Sequence, residues 1–113
     1  MAIEWNRYLA RYQQERGGYF FGVCLGMQML LESSEEAPGA AGLGIFPGAV
    51  VRFPAGREKV PHMGWNSVSF RPDSPLGAGM PEGSCFYFVH SYYVPVNAAF
   101  TAAASEYIVP FSA

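Results

Sequence analysis

With 113 residues, half of them hydrophobic and 16% aromatic, the chain can build one hydrophobic core and is too short for two domains. Its net charge is −2 and its seven Lys and Arg residues are scattered, which excludes the basic footprint of a nucleic-acid or anionic-membrane binder. Two cysteines, Cys24 and Cys85, and two histidines, His62 and His90, make neither a disulfide framework nor a finger-like ligand spacing, so no metal, no cofactor and a reducing compartment are expected.

Trp5, Tyr8, Leu9 and Tyr12 recur at helical spacing with Arg7, Arg11, Gln14 and Glu15 between them, and Gly17-Gly18 supplies a stop, predicting an amphipathic helix. The N-terminus lacks the basic start and apolar core of a signal peptide. The longest apolar run, residues 19–31, is broken by Gln28 and by glycines and is shorter than the ~20 residues needed to span a bilayer. A cytoplasmic location is expected on both grounds. Residues 19–23 read as a buried strand of a parallel sheet, covered on both faces and therefore continuously apolar. Met27, Leu30, Leu31 and Ser34 form the inward stripe of a second helix that ends in Glu35-Glu36, before the breaker Pro38-Gly39. From Ala49 onward short strands are predicted over 49–53, 66–70, 85–93 and 100–107, with Gly- and Pro-rich loops between them, notably 71–83. The whole reads as one α/β domain with a meandering β layer and no internal linker.

Chemistry concentrates in Phe20-Phe21-Gly22-Val23-Cys24-Leu25-Gly26-Met27-Gln28, where a strand-like run delivers a thiol between two glycines into a helix-like pattern. At such a turn, unpaired N–H groups of the helix start favour thiolate over thiol. Gly22 and Gly26 let the turn be sharp and let a carbonyl approach closely, as in a nucleophile elbow. The N–H of Leu25 would then face a developing oxyanion. Spacing alone leaves open a buried strand that happens to end in Cys, and Cys85, within a β-rich run, reads as such a buried thiol.

The segment Gly22-Val23-Cys24-Leu25-Gly26-Met27-Gln28 resembles the nucleophile motif of class I, triad-type glutamine amidotransferases. Gly42-Leu43-Gly44-Ile45-Phe46-Pro47-Gly48, Val60-Pro61-His62-Met63-Gly64-Trp65-Asn66 and Phe86-Tyr87-Phe88-Val89-His90-Ser91-Tyr92-Tyr93 follow in the order of one subfamily, the glutamine amidotransferase subunits of imidazole glycerol phosphate synthases. The resemblance runs from the first helix to Ala113. It implies a flavodoxin-like α/β fold, a mixed sheet flanked by helices, with residues 1–113 forming a partial glutamine amidotransferase domain. In that family an upstream strand and Pro-Gly loop supply part of the oxyanion hole. A downstream Phe-His-Pro-Glu segment supplies the catalytic His and Glu. Neither is in this sequence, and the chain alone is expected to be inactive or nearly so, with open sheet edges that invite association.

Carried over residue by residue, the resemblance implies that Cys24 attacks the side-chain amide of glutamine and Leu25 stabilises the oxyanion. Gln28, Glu36, Ser91 and Tyr92 would bind the substrate, and Met63, Trp65, Asn66 and Tyr87 would face a (β/α)8-barrel cyclase subunit that receives the ammonia. No nucleic acid or membrane is expected as a partner. Each position also has an ordinary reading. Gln28 would be a polar helix surface, Glu36 a solvated helix end, Ser91 and Tyr92 strand-end residues, and Trp65 a core aromatic. The class-level alternatives are a non-catalytic remnant that only binds glutamine or the cyclase, another class I amidotransferase, and an unrelated cysteine hydrolase. His62 and His90 do not match the family's catalytic His and are read as shaping the pocket.

Overall fold

The computed structural model describes residues 2–56 and 58–113, and the side chains within that range except those of residues 2–6 and 10. Helix α1 (Ala2–Arg16) forms where the spacing predicts it. It closes at Gly17, whose φ of 60° is left-handed and whose N–H donates to the Gln13 carbonyl at 3.0 Å, the turn for which glycine is the least strained residue. Tyr8 and Tyr12 of the predicted stripe are exposed, and the Trp5 side chain lies outside the described residues.

The segment after α1 departs from expectation. Residues 19–23 are extended without being a strand, and they are open to solvent, Phe21 at 83%. A strand exists through its ladder of partners, and no described strand pairs with this run. Helix α2 is shorter than its periodicity suggests, spanning Leu25–Gln28. Successive tight turns then carry the chain on, with Leu30 N–H donating to Met27 O and Leu31 N–H to Gln28 O at 3.1 and 3.3 Å. Ser33–Ser34 form strand β1, so Ser34 and the following Glu35-Glu36 do not belong to a helix. Strand β1 runs parallel to β2 (Ala49–Arg52).

The second half is the expected β layer, with shifted boundaries. Strands β3 (His62–Ser67) and β4 (Ser69–Phe70) are separated at the buried Val68. Strands β5 (Cys85–His90) and β6 (Tyr92–Pro95) are separated at Ser91. β7 (Ala103–Tyr107) and β8 (Val109–Ser112) turn about Ile108. Residues 100–102, predicted as strand, precede β7 as a loop held by the Asn97 N–H on Thr101 Oγ1 at 2.8 Å. The strands form a mixed six-stranded sheet in the order β1-β2-β6-β8-β7-β4, and β3 and β5 pair as a separate antiparallel ribbon.

Two apolar nuclei hold these layers together. Leu31, Val50 and Val94 are buried together with Met27, Leu30, Phe46, Tyr92 and Phe100 against them. In this way the turns after α2 dock on the centre of the sheet, because burying such side chains is the dominant favourable term. The second nucleus gathers Phe53, His62, Phe88, His90, Tyr107 and Phe111 between ribbon and sheet, with ring centroids such as His90–Phe111 at 5.0 Å. The loop 42–46 is stitched to the turns after α2, the N–H groups of Leu43, Gly44 and Phe46 donating to the carbonyls of Met29, Leu31 and Leu30 at 2.7, 3.1 and 3.0 Å. A Cβ at Gly42 would overlap the Leu31 carbonyl. Gly42→Ala is therefore expected to cost about 1–3 kcal/mol through forced backbone shifts, read as a lowered midpoint in thermal melts followed by circular dichroism.

Candidate active site

Cys24 occupies a strained turn. Its φ of 54° and ψ of −112° are conformations that cost a non-glycine residue about 1–3 kcal/mol and persist where the surroundings enforce them. Two backbone bonds enforce it, Gly26 N–H to Val23 O and Gln28 N–H to Cys24 O, both at 3.0 Å. The close approach falls at Gly22, where a Cβ would lie 2.5 Å from the Gly26 carbonyl carbon and 2.7 Å from the Met27 nitrogen. Gly26 meets nothing within 4 Å and faces open space, so the two glycines have different jobs, one closing the turn and one leaving room beside it. The thiol is exposed. Leu25, as the first residue of α2, has no intrahelical acceptor for its N–H, and no other backbone acceptor is found for it among the described residues. With only four residues, α2 brings no long helix dipole to bear on Cys24.

Gln28 is buried, not a polar surface position, and its Nε2 donates to the Tyr92 carbonyl at 3.1 Å. Two of the sequence-predicted substrate residues are thus joined. Ser91 sits between β5 and β6, its carbonyl accepting from the Phe53 N–H at 3.0 Å. The carboxylates of Glu32 and Glu35 are engaged, Oε2 of Glu32 accepting from Gly48 N–H at 3.1 Å and Oε2 of Glu35 from Arg52 N–H at 2.9 Å. The Glu36 carboxylate makes no hydrogen bond or ion pair among the described residues, and only its N–H is held, by Ser34 Oγ at 3.2 Å.

The ribbon has two unlike faces, set by the two-residue alternation of strands. Met63, Trp65, Tyr87 and Val89 share the outer face, with Met63 opposite Val89 and Trp65 opposite Tyr87. All four are exposed, Trp65 at 73%, so Trp65 is not a core aromatic. Its ring meets Tyr87 edge-on at 5.6 Å. Asn66, grouped with these in the sequence, lies on the inner face and donates from Nδ2 to the Glu106 carbonyl at 2.8 Å.

Sequence reasoning gave no partner to His62 or His90, yet the β3–β5 register sets them opposite one another. His62 Nδ1 is 2.9 Å from His90 Nε2, and His90 Nδ1 is 2.9 Å from the Tyr92 carbonyl. The signal was available in the inward-facing alternation of the two segments. Burial lowers the pKa of both imidazoles from the usual 6.5; for His62 the neighbouring His90 adds to the effect, and for His90 the Tyr92 carbonyl partly offsets it. The unfolded chain therefore takes up protons first as pH falls, so stability is full above the unfolded pKa and is lost progressively on acidification through it. Thermal midpoints are expected to be level above about pH 7.5 and to fall from about pH 6.5 downward. A midpoint that rises on acidification to pH 5.5 would contradict the buried neutral pair. Cys85, predicted to be a buried strand thiol, is exposed at the ribbon's end, its Sγ 3.6 Å from the Gly83 carbonyl.

Among the described residues no helix is long and apolar enough to cross a membrane, and no three of His, Cys, Asp and Glu gather as a metal would require. The glutamine amidotransferase class-I family matches residues 3–108. Among curated relatives, the imidazole glycerol phosphate synthase subunit HisH of Methanosarcina acetivorans is 50% identical over 99 residues, 88% of this chain and 49% of that protein. HisH of Methylococcus capsulatus is 53% identical over 103 residues, 83% of this chain and 48% of that protein. HisH of Desulfitobacterium hafniense is 49% identical over 110 residues, 96% of this chain and 51% of that protein. The chain thus spans about half the length of the curated relatives it matches. With the strained Cys24 turn and this match over nearly its whole length, the chain belongs to the class I glutamine amidotransferase family.

Proposed function

We propose that this chain is the nucleophile-bearing part of the cytoplasmic glutaminase subunit of an imidazole glycerol phosphate synthase, acting in histidine biosynthesis. The observation that carries the reading is Cys24, exposed and held at φ 54° between Gly22 and the open space over Gly26. The HisH identity of its relatives selects this subfamily. Cys24 Sγ attacks the side-chain amide carbon of glutamine as its proton passes to a base, the Leu25 N–H stabilises the oxyanion, and the base returns that proton to the leaving nitrogen, so that ammonia departs as a γ-glutamyl thioester forms. Water then cleaves the thioester to glutamate and restores the thiol. Gln28, Ser91 and Tyr92 hold the substrate, and the unengaged Glu36 carboxylate suits its α-ammonium.

Neither His62 nor His90 serves as the base, because the two imidazoles are committed to each other and His90 also to the Tyr92 carbonyl. The resemblance assigns that role to the His of a Phe-His-Pro-Glu segment, which is not in this sequence. Ammonia loses its reactivity once protonated in water, so its consumer must dock. Met63, Trp65, Tyr87 and Val89 form an exposed apolar and aromatic patch of the kind that anchors interfaces, and it is the face we assign to the barrel-shaped cyclase. Asn66 supports that face from behind. In the test, the isolated chain is given a glutamine-like diazo ketone and, separately, glutamine. Cys24 is expected to become alkylated while ammonia release stays at background. Turnover of glutamine that Cys24→Ala abolishes would place a working base within these 113 residues and overturn the assignment of that role elsewhere.

A further inference from the structure

A line of hydrogen bonds runs from the inner face of the ribbon to the nucleophile turn. Asn66 Nδ2 lies 3.5 Å from His62 Nε2, His62 Nδ1 2.9 Å from His90 Nε2, His90 Nδ1 2.9 Å from the Tyr92 carbonyl, and that same carbonyl accepts from Gln28 Nε2 at 3.1 Å. A carbonyl oxygen only accepts, so the proton of His90 sits on Nδ1 and its Nε2 is an acceptor. His62 must then donate from Nδ1, which leaves its Nε2 facing the Asn66 amide, itself a donor. Every proton in the line is therefore fixed by the carbonyl at its end. His62 is held there by stacking between Tyr107 and Phe88, with centroids at 4.0 and 5.1 Å and planes within 15° and 16°. Its burial, at 3% exposure, excludes water that could substitute for these partners.

We propose that His90 is a positioning residue for the nucleophile turn: through the Tyr92 carbonyl it fixes the side-chain amide of Gln28, and the backbone N–H of that same residue holds the Cys24 carbonyl one helical turn away. His62 and Asn66 stand behind it, in the tautomer and orientation that the Tyr92 carbonyl dictates. This rests on reading Cys24 and Gln28 as parts of a glutamine pocket. It adds a role for a histidine that touches neither substrate nor thiol.

Two substitutions separate positioning from packing. In His90→Asn the amide nitrogen falls where Nδ1 was and can still donate to Tyr92. In His90→Gln the amide reaches the Nε2 position and the donor to Tyr92 is gone. The readout is the alkylation rate of Cys24 by a glutamine-like diazo ketone divided by its rate with iodoacetamide, which needs no pocket. The Asn variant is expected to stay near the wild-type ratio and the Gln variant to fall roughly 10-fold, about the worth of one lost hydrogen bond. Equal ratios in the two variants, whether both intact or both reduced, would overturn the proposal. Nitrogen-15 NMR of the unsubstituted chain at pH 8 gives an independent check whatever the variants' folding. The proton is expected on Nδ1 of both histidines, and finding it on Nε2 of His90 contradicts the proposal. If the unsubstituted chain shows no preference for the diazo ketone, the pocket reading fails, and the tautomers alone decide the line of bonds.

Discussion

Cys24→Gly is expected to abolish covalent labelling by glutamine-like reagents and at the same time to raise stability. The first effect is total, because Cys24 carries the only thiol at the turn that such a reagent can alkylate. The second follows from the backbone. At φ 54° a Cβ costs roughly 1–2 kcal/mol that glycine does not incur. Glycine returns part of this through the entropy of the unfolded chain, leaving a net gain of about 1 kcal/mol. Thermal melts of Cys24→Ala and Cys24→Gly separate the two effects. Both variants are chemically silent, and only the glycine melts higher. An unchanged midpoint in Cys24→Gly would mean that the strain at the turn is no larger than the entropy cost of the glycine.

The second large effect is at Gly22. A methyl group there meets backbone atoms of Gly26 and Met27 at 2.5–2.7 Å, and backbone cannot rotate aside as a side chain can. Gly22→Ala must therefore open the turn, with an expected cost of about 1–3 kcal/mol and loss of directed labelling as Cys24 moves. Gly26→Ala meets nothing within 4 Å and lies inside α2, where alanine is the better helix former by about 0.5–1 kcal/mol. Its midpoint is expected to hold or rise. Similar melting of the two alanine variants would contradict the close approach seen at Gly22.

These glycines mark the boundary of what the sequence made legible. Their pairing around a cysteine announced a sharp turn, but which one lies against backbone depends on how the next turn folds over it. The β layer could be read from alternation and from Gly- and Pro-rich punctuation. The α2 boundary could not, because Met27 in the short helix and Leu30 and Leu31 in the tight turns after it point inward at a spacing that imitates one longer helix. Ser33–Ser34 leave that pattern only because Ala49–Val50 offer them a ladder. Residues 19–23 fail in the opposite way, since their composition suits a buried strand but no described strand lies beside them. The faces of the ribbon follow from alternation once its register is known, which is why Asn66 separates from Met63 and Trp65 and why His62 meets His90.

If Cys24 is a nucleophile in a glutamine-shaped pocket, the chain carries its own control. Cys24 and Cys85 are both exposed, so a reagent that sees only accessible thiols should modify both. The decisive measurement is mass-spectrometric mapping of the two cysteines after treatment with a glutamine-like diazo ketone, with and without excess glutamine. Modification is expected at Cys24, suppressed by glutamine, with little at Cys85. Equal modification of the two, unaffected by glutamine, would contradict it.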